Sequence, residues 1–246
     1  MKVFFQETSL SLKHIGSGLV LLLFLSHVLP AQTTRRVPAD FPSIQTAINA
    51  AQEGDTVLVS PGIYYENLQL RGRNIVLSSR FWRDKNPALI EQTIVDGSQP
   101  VHADTASCLL IWKGESAKTV IEGLHFRGGA GTIWFDHYVP GAFREGGGIL
   151  VEFSSPIIRH NLIRNNTVPS GGTGIISNGG GGIRCGDGAP LIEYNRIVHN
   201  HSEGYGGGVV LNYCPGAVLR GNIIAHNRGG RDYSGGGFWA TGANLN

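Results

Sequence analysis

Apolar and polar positions along the second half of the chain recur in a fixed frame. Gly147-Gly148-Ile149, Gly181-Gly182-Ile183, Gly207-Gly208-Val209 and Gly236-Gly237-Phe238 each open a unit. Inside the units, Ile158, Ile192 and Leu219 share one position and Ile163, Ile197 and Ile224 another. Asn161, Asn195 and Asn222 form a third set, and Asn166, Asn200 and Asn227 a fourth. The frame reaches back to Ile121 and Phe126. Each unit has room for two or three short strands and cannot bury its apolar side alone, so self-similarity of this kind predicts stacked coils. Stacking sets equivalent residues about 4.8 Å apart. The aliphatic sets then become inward columns, and the Asn sets become turn columns whose amides bond one another and whose backbone is left-handed. The paired glycines mark a corner where successive backbones approach closely.

The start of this region differs. After Pro42 and Ser43, residues Ile44, Ala47, Ile48 and Ala51 fall on one helical face, and Gly54 stops the run. Three β-rich segments follow at 56–60, 64–70 and 75–79, separated by turn residues. One short helix ahead of many strands suits a solenoid whose open first coil the helix covers. The expected fold class is therefore all-β, a right-handed parallel β-helix with an N-terminal capping helix.

The run Ile44-Gln45, Ala47-Ile48, Ala51, Gly54-Asp55, Val57, Val59, Pro61-Gly62, Tyr64 and Glu66 resembles the opening of secreted β-helix repeat proteins of the pectin-lyase-like superfamily. The Gly-Gly-Ile units, with Ile163-Arg164-Asn165-Asn166 and its two later counterparts, are similar to the GGxI and FxxN repeats of bacterial surface passenger domains, with Ile in place of Phe. The resemblance implies the fold and leaves function open, because lyases, glycosidases and adhesins share it.

Residues 1–31 read as a signal peptide: Lys2 and Lys13 precede an apolar run at 19–25 that is too short to span a bilayer, and Ala31 offers a cleavage point. Export to the extracellular space, the cell surface or the periplasm is expected, with residues 32–246 forming a single β-helix domain. The chain stops at Asn246, just after a new unit opens at Gly235, so a C-terminal truncation is expected. No later apolar stretch reaches membrane-spanning length. A net charge of +2 with only 15% charged residues gives no electrostatic case for nucleic acid. Cys108, Cys185 and Cys214 show no metal or redox spacing and read as small buried apolar residues.

Candidate chemistry lies off the repeat. The stretch Gly128–Gly146 interrupts a unit with Trp134, Phe135, Asp136, His137 and Tyr138, and later Arg144. Insertions in a solenoid emerge as loops on one side, and aromatics beside charged groups suit sugar rings and hydroxyls. Trp134, Asp136, His137, Tyr138 and Arg144 are the expected ligand contacts, and a polysaccharide or surface glycan is the expected partner. A second insertion at 81–91, with Trp82, Arg83, Asp84 and Lys85, is placed on no particular side. The leading reading is a glycan-binding scaffold, and the alternative is a polysaccharide lyase or glycoside hydrolase using Arg184, Asp187 and Glu193. The superfamily's lyases use clustered aspartates with an arginine base, and its polygalacturonases a Gly-His-Gly with aspartates; neither set is found. Glu122, Arg159, Glu193 and Arg220 occupy one position in four units and read as a charge ladder that fixes register. His199 and His226 share a turn with His201 nearby, and Gly128-Gly129-Ala130-Gly131 begins like a calcium-binding repeat but carries Ile133 where Asp is needed. The three histidines could ligate zinc and the glycine run suggests calcium, but no cofactor or metal is expected, calcium remaining the alternative.

Overall fold

Strands of two to five residues cannot hold together singly, and here each finds its partners in the coils above and below it. The computed structural model describes residues 32–136, 139–230 and 235–243. The expected signal peptide, His137 and Tyr138 lie outside them. The chain winds through three parallel sheets. The first face has seven strands, from Thr34–Val37 to Val218–Arg220; the second has six, from Gly62–Tyr65 to Ile223–Ala225; the third has six, from Leu68–Gln69 to Phe238–Thr241.

The register is the one that the repeats imply. Ile121, Ile158, Ile192 and Leu219 align on the first face, Phe126, Ile163, Ile197 and Ile224 on the second, and Ile149, Ile183, Val209 and Phe238 on the third. Their side chains fill the interior, most with no solvent exposure. The helix Ile44–Ala50 packs on the first coil, burying Ile44, Ala47 and Ile48, with Ser43 and Thr46 forming a capping box. The Glu66 carboxylate accepts the N–H groups of Ile44 and Gln45, satisfying two donors that the helix itself leaves open. The expected strand at 64–70 is in fact two, Gly62–Tyr65 and Leu68–Gln69, because the chain turns a corner between them.

The asparagines form continuous ladders. Asn195 accepts from the backbone N–H (3.0 Å) and the side-chain amide (3.1 Å) of Asn161, and donates to Ile158 O (2.8 Å) and Asn222 Oδ1 (3.0 Å). Asn200 does the same between Asn166 and Asn227. The left-handed residue, however, stands one place earlier: His160, Tyr194 and Gly221 in one corner, Asn165, His199 and His226 in the other. Turning the backbone before the asparagine aims its amide along the stack, so the ladder asparagines supply hydrogen bonds and their predecessors supply the bend. The charge ladder resolves into two pairs, Arg159 with Glu122 at 3.2 Å and Arg220 with Glu193 at 2.5 Å.

The insertions do not share one side. Residues between the second and third faces build a four-stranded outer sheet from Thr105–Ala106, Gly131–Phe135, Ala142–Glu145 and Ile175–Gly179. The insertion after Ser79 instead forms two short helices, Phe81–Asp84 and Ala88–Gln92, at the corner between the first and second faces.

Candidate functional site

Side chains alternate across a strand, so every second residue of the third face points outward. One outward column runs Leu110, Leu150, Arg184, Val210, Trp239 and another Glu152, Gly186, Asn212, Thr241. Outward apolar residues need a cover, and the outer sheet provides it. Leu110 and Leu150 pack with Trp134, flanked by Trp112 and Phe143. Trp134 is only 7% exposed, its ring stacks on Phe143 at 5.3 Å, and its N–H donates to Glu145 Oε2 at 3.0 Å. It is a roof over the coil and not a platform for sugar, which corrects the expectation; the ring left in solvent is Phe135, at 77%.

Arg184, 1% exposed, lies beneath that roof with its guanidinium 4.2 Å from the Trp134 ring centroid. It is ion-paired to Glu145 at 2.8 Å and to Glu152. The Tyr205 hydroxyl donates to Glu145, and burial together with that carboxylate pushes the phenol well above its usual range. Two glycines make room for this network. A Cβ on Gly186 would collide with the Arg184 guanidinium and the Glu152 carboxylate, and one on Gly179 would stand 2.8 Å from the Tyr205 ring.

Past Arg184 the Trp134 roof ends; Val210 on the next rung is still buried, and the columns then open into a cleft of about 740 Å³. Asn212, Trp239 and Thr241 line it from the third face, Phe143, Ile176 and Ser177 from the outer sheet, with Tyr205, Tyr213 and Asp187 between them and Asp136 and Val139 at the hairpin tip. Tyr205 belongs to both places: its hydroxyl is held by Glu145 while its ring packs on Trp239 at 4.7 Å.

Of the expected ligand contacts, Asp136 lines the cleft and Trp134 does not, being packed over Leu110 and Leu150, while His137 and Tyr138 fall outside the described residues. Arg144 does not face the cleft. It alternates with Phe143, pairs opposite Ile133 and donates to Ala103 O at 2.9 Å, on the other side of the outer sheet. Arg184, Asp187 and Glu193 do not converge: Arg184 is sealed under the roof, Asp187 borders the cleft, and Glu193 sits on the first face with Arg220. Tyr205, Tyr213 and Trp239 were not anticipated. A signal for the cover was present, since Leu110, Leu150 and Val210 are apolar where an uncovered face would be polar.

The remaining candidates are structural in their contacts. His199 and His226 stack at 5.0 Å, and His201 pairs with Glu203 at 2.9 Å. Among the described residues no group of three His, Cys, Asp or Glu is placed to hold a metal ion. The three cysteines are buried free thiols, and burial pushes Cys108 up to about 12. No helix among the described residues is long and apolar enough to cross a membrane.

No curated protein matches the chain. Among solved structures it is similar to a pectin methylesterase crystallised with a hexasaccharide, at 13% identity and a TM-score of 0.39, over 77% of this chain and 66% of that one. The family model described as "Right handed beta helix region" matches residues 107–245, more than half of the sequence and all the Gly-Gly units, so the chain belongs to that right-handed β-helix family.

Proposed function

We propose that the protein is an exported or surface-displayed β-helix that binds a glycan in the cleft beside its third face. The observation that carries this reading is the make-up of the walls. Trp239, Tyr213 and Phe143 offer ring surface, and Asp136, Asp187, Ser177, Asn212 and Thr241 offer hydrogen-bonding groups between them. Sugars are amphipathic in the same way, with C–H faces that lie on aromatic rings and a rim of hydroxyls that need polar partners. The cleft volume lies within the range of sites that take small organic ligands. Export rests on the sequence of the N-terminal segment, a basic start followed by a short apolar run.

The test is retention on a panel of immobilised neutral and acidic polysaccharides, followed by titration with Trp239 fluorescence as the readout. Retention that Trp239→Ala abolishes supports the reading; a chain that passes through every matrix refutes it. A second reading, a carbohydrate-active enzyme, is favoured by the presence of two carboxylates, Asp136 and Asp187, in one cleft. New reducing ends or unsaturated products, lost in Asp187→Asn, would select it.

A further inference from the structure

Where the third face turns toward the first, one residue per rung is left-handed: Phe153 (φ 49°), Asp187 (φ 47°), Tyr213 (φ 50°) and Gly242 (φ 58°). The hydrogen bonds Phe153 N to Gly186 O, Asp187 N to Asn212 O and Tyr213 N to Thr241 O place them in four successive rungs. Glycine takes this conformation without strain, whereas a bulky side chain is costly there. At the other two corners, rings in the same conformation have an evident use, because His160 stacks on Tyr194 at 5.4 Å and His199 on His226 at 5.0 Å. Among the described residues Phe153 and Tyr213 have no such partner. They stand two rungs apart, about 10 Å, with Asp187 between them. They are 50% and 57% exposed and make no ring contact among the described residues.

Strain kept at an exposed aromatic position points to a task outside the fold. The three side chains border an open hollow of about 530 Å³ with Ser155, Ala189 and Pro215. Asp187 and Tyr213 border the cleft as well, so the two depressions meet along one ridge. We infer that the Phe153–Asp187–Tyr213 column is an outlying part of the saccharide site, and that the ligand is an extended glycan chain crossing this ridge instead of a mono- or disaccharide enclosed in the cleft. The inference rests on the reading of the cleft as a glycan site. The alternation of ring, carboxylate and ring suits successive sugars of a chain, each offering a C–H face or hydroxyls. A wholly apolar partner would have to desolvate the Asp187 carboxylate, which is costly.

Phe153 borders only the outer hollow, so it separates this inference from the cleft itself. Phe153→Gly relieves the left-handed strain, and the variant folds. Calorimetric titration of both proteins with cello-, xylo-, manno- and galacturono-oligosaccharides, from disaccharide to octasaccharide, reads the result. Wild-type affinity rises with length beyond what the cleft holds, and Phe153→Gly loses that gain, roughly fivefold, while its affinity for the shortest binding oligomer is unchanged. Identical length dependence in both proteins, or no gain with length in the wild type, overturns the inference and leaves the cleft reading intact if Trp239→Ala still abolishes binding. Absence of binding at every length overturns both.

Discussion

Replacing Arg184 by Met tests whether the buried network holds the outer sheet on the third face. Met keeps a long apolar stem and removes only the charge. Arg184 and Glu145 have side chains 1% exposed and Glu152 6%, so deletion of the cation leaves two carboxylates away from water. The two are not equally affected. Glu145 retains the Trp134 N–H and the Tyr205 hydroxyl as donors, whereas Arg184 is the only polar partner that the Glu152 carboxylate has among the described residues. Breaking a buried ion pair by removing one partner costs about 3–5 kcal/mol. For a domain of this size that corresponds to a fall in Tm of roughly 6–20 °C, taking about 2–4 °C for each kcal/mol. Circular dichroism during guanidinium and thermal unfolding measures the loss, and limited proteolysis within 131–145 reports release of the outer sheet. Adding Glu152→Gln to Arg184→Met removes the more isolated charge and restores more than half of the loss. The reasoning is refuted if Arg184→Met costs under about 1 kcal/mol, or if the second substitution restores nothing; either result would mean that water reaches the network and pays its solvation without the arginine.

Two further predictions follow from the buried polar groups. His125, buried beneath the second insertion, is held down to about 4 by burial first and then by Arg164 and Arg127. Its neutral form is the folded one and the unfolded chain binds the extra proton, so stability is full above about pH 6.5 and falls by roughly 3 kcal/mol as pH drops to 4. Urea midpoints against pH should show this slope, and His125→Leu should flatten it; an unchanged slope in the variant would assign the acid sensitivity elsewhere. In the first ladder, Asn195→Ala leaves the Asn161 N–H and the Ile158 carbonyl without their partners and costs about 3 kcal/mol. Amide exchange at Asn161 accelerates in the variant if the ladder carries that load, and unaltered protection would show that it does not.

How far the molecule could be read from its sequence depends on the range of the interactions involved. Column positions such as Ile158, Ile192 and Leu219 were readable because stacking repeats one local environment at every rung, so internal comparison of the chain reports directly on contacts in space. The left-handed residue preceding each ladder asparagine was misplaced by one because Asn itself tolerates that backbone, and composition cannot say which of two adjacent residues bends. The outer sheet escaped for a different reason. It joins Thr105–Ala106, Gly131–Phe135, Ala142–Glu145 and Ile175–Gly179, segments of three different coils with no repeat among them, partly antiparallel and shifted in register at Ala142.

That difference also explains why the site was half found. Trp134 and Arg144 were both expected to contact ligand, yet a hairpin laid on a face has two sides, and alternation decides between them: Trp134 and Phe143 turn to the coil, Ile133 and Arg144 turn away. Which side faces the coil is set by the coil, through the apolar column Leu110, Leu150 and Val210 that only a hydrophobic lid can cover. Trp134 reaches the Arg184 rung, where its ring lies on the guanidinium that Glu145 and Glu152 pair and Tyr205 bonds to Glu145. Beyond that rung Val210 is still buried, and the column continues as the half-buried Trp239, whose ring packs on Tyr205 and forms cleft wall. The cleft is therefore the joint product of the cover and the coil: the hairpin supplies Asp136, Val139 and Phe143, the third face supplies Asn212, Trp239 and Thr241, and a change in either set reshapes the opening.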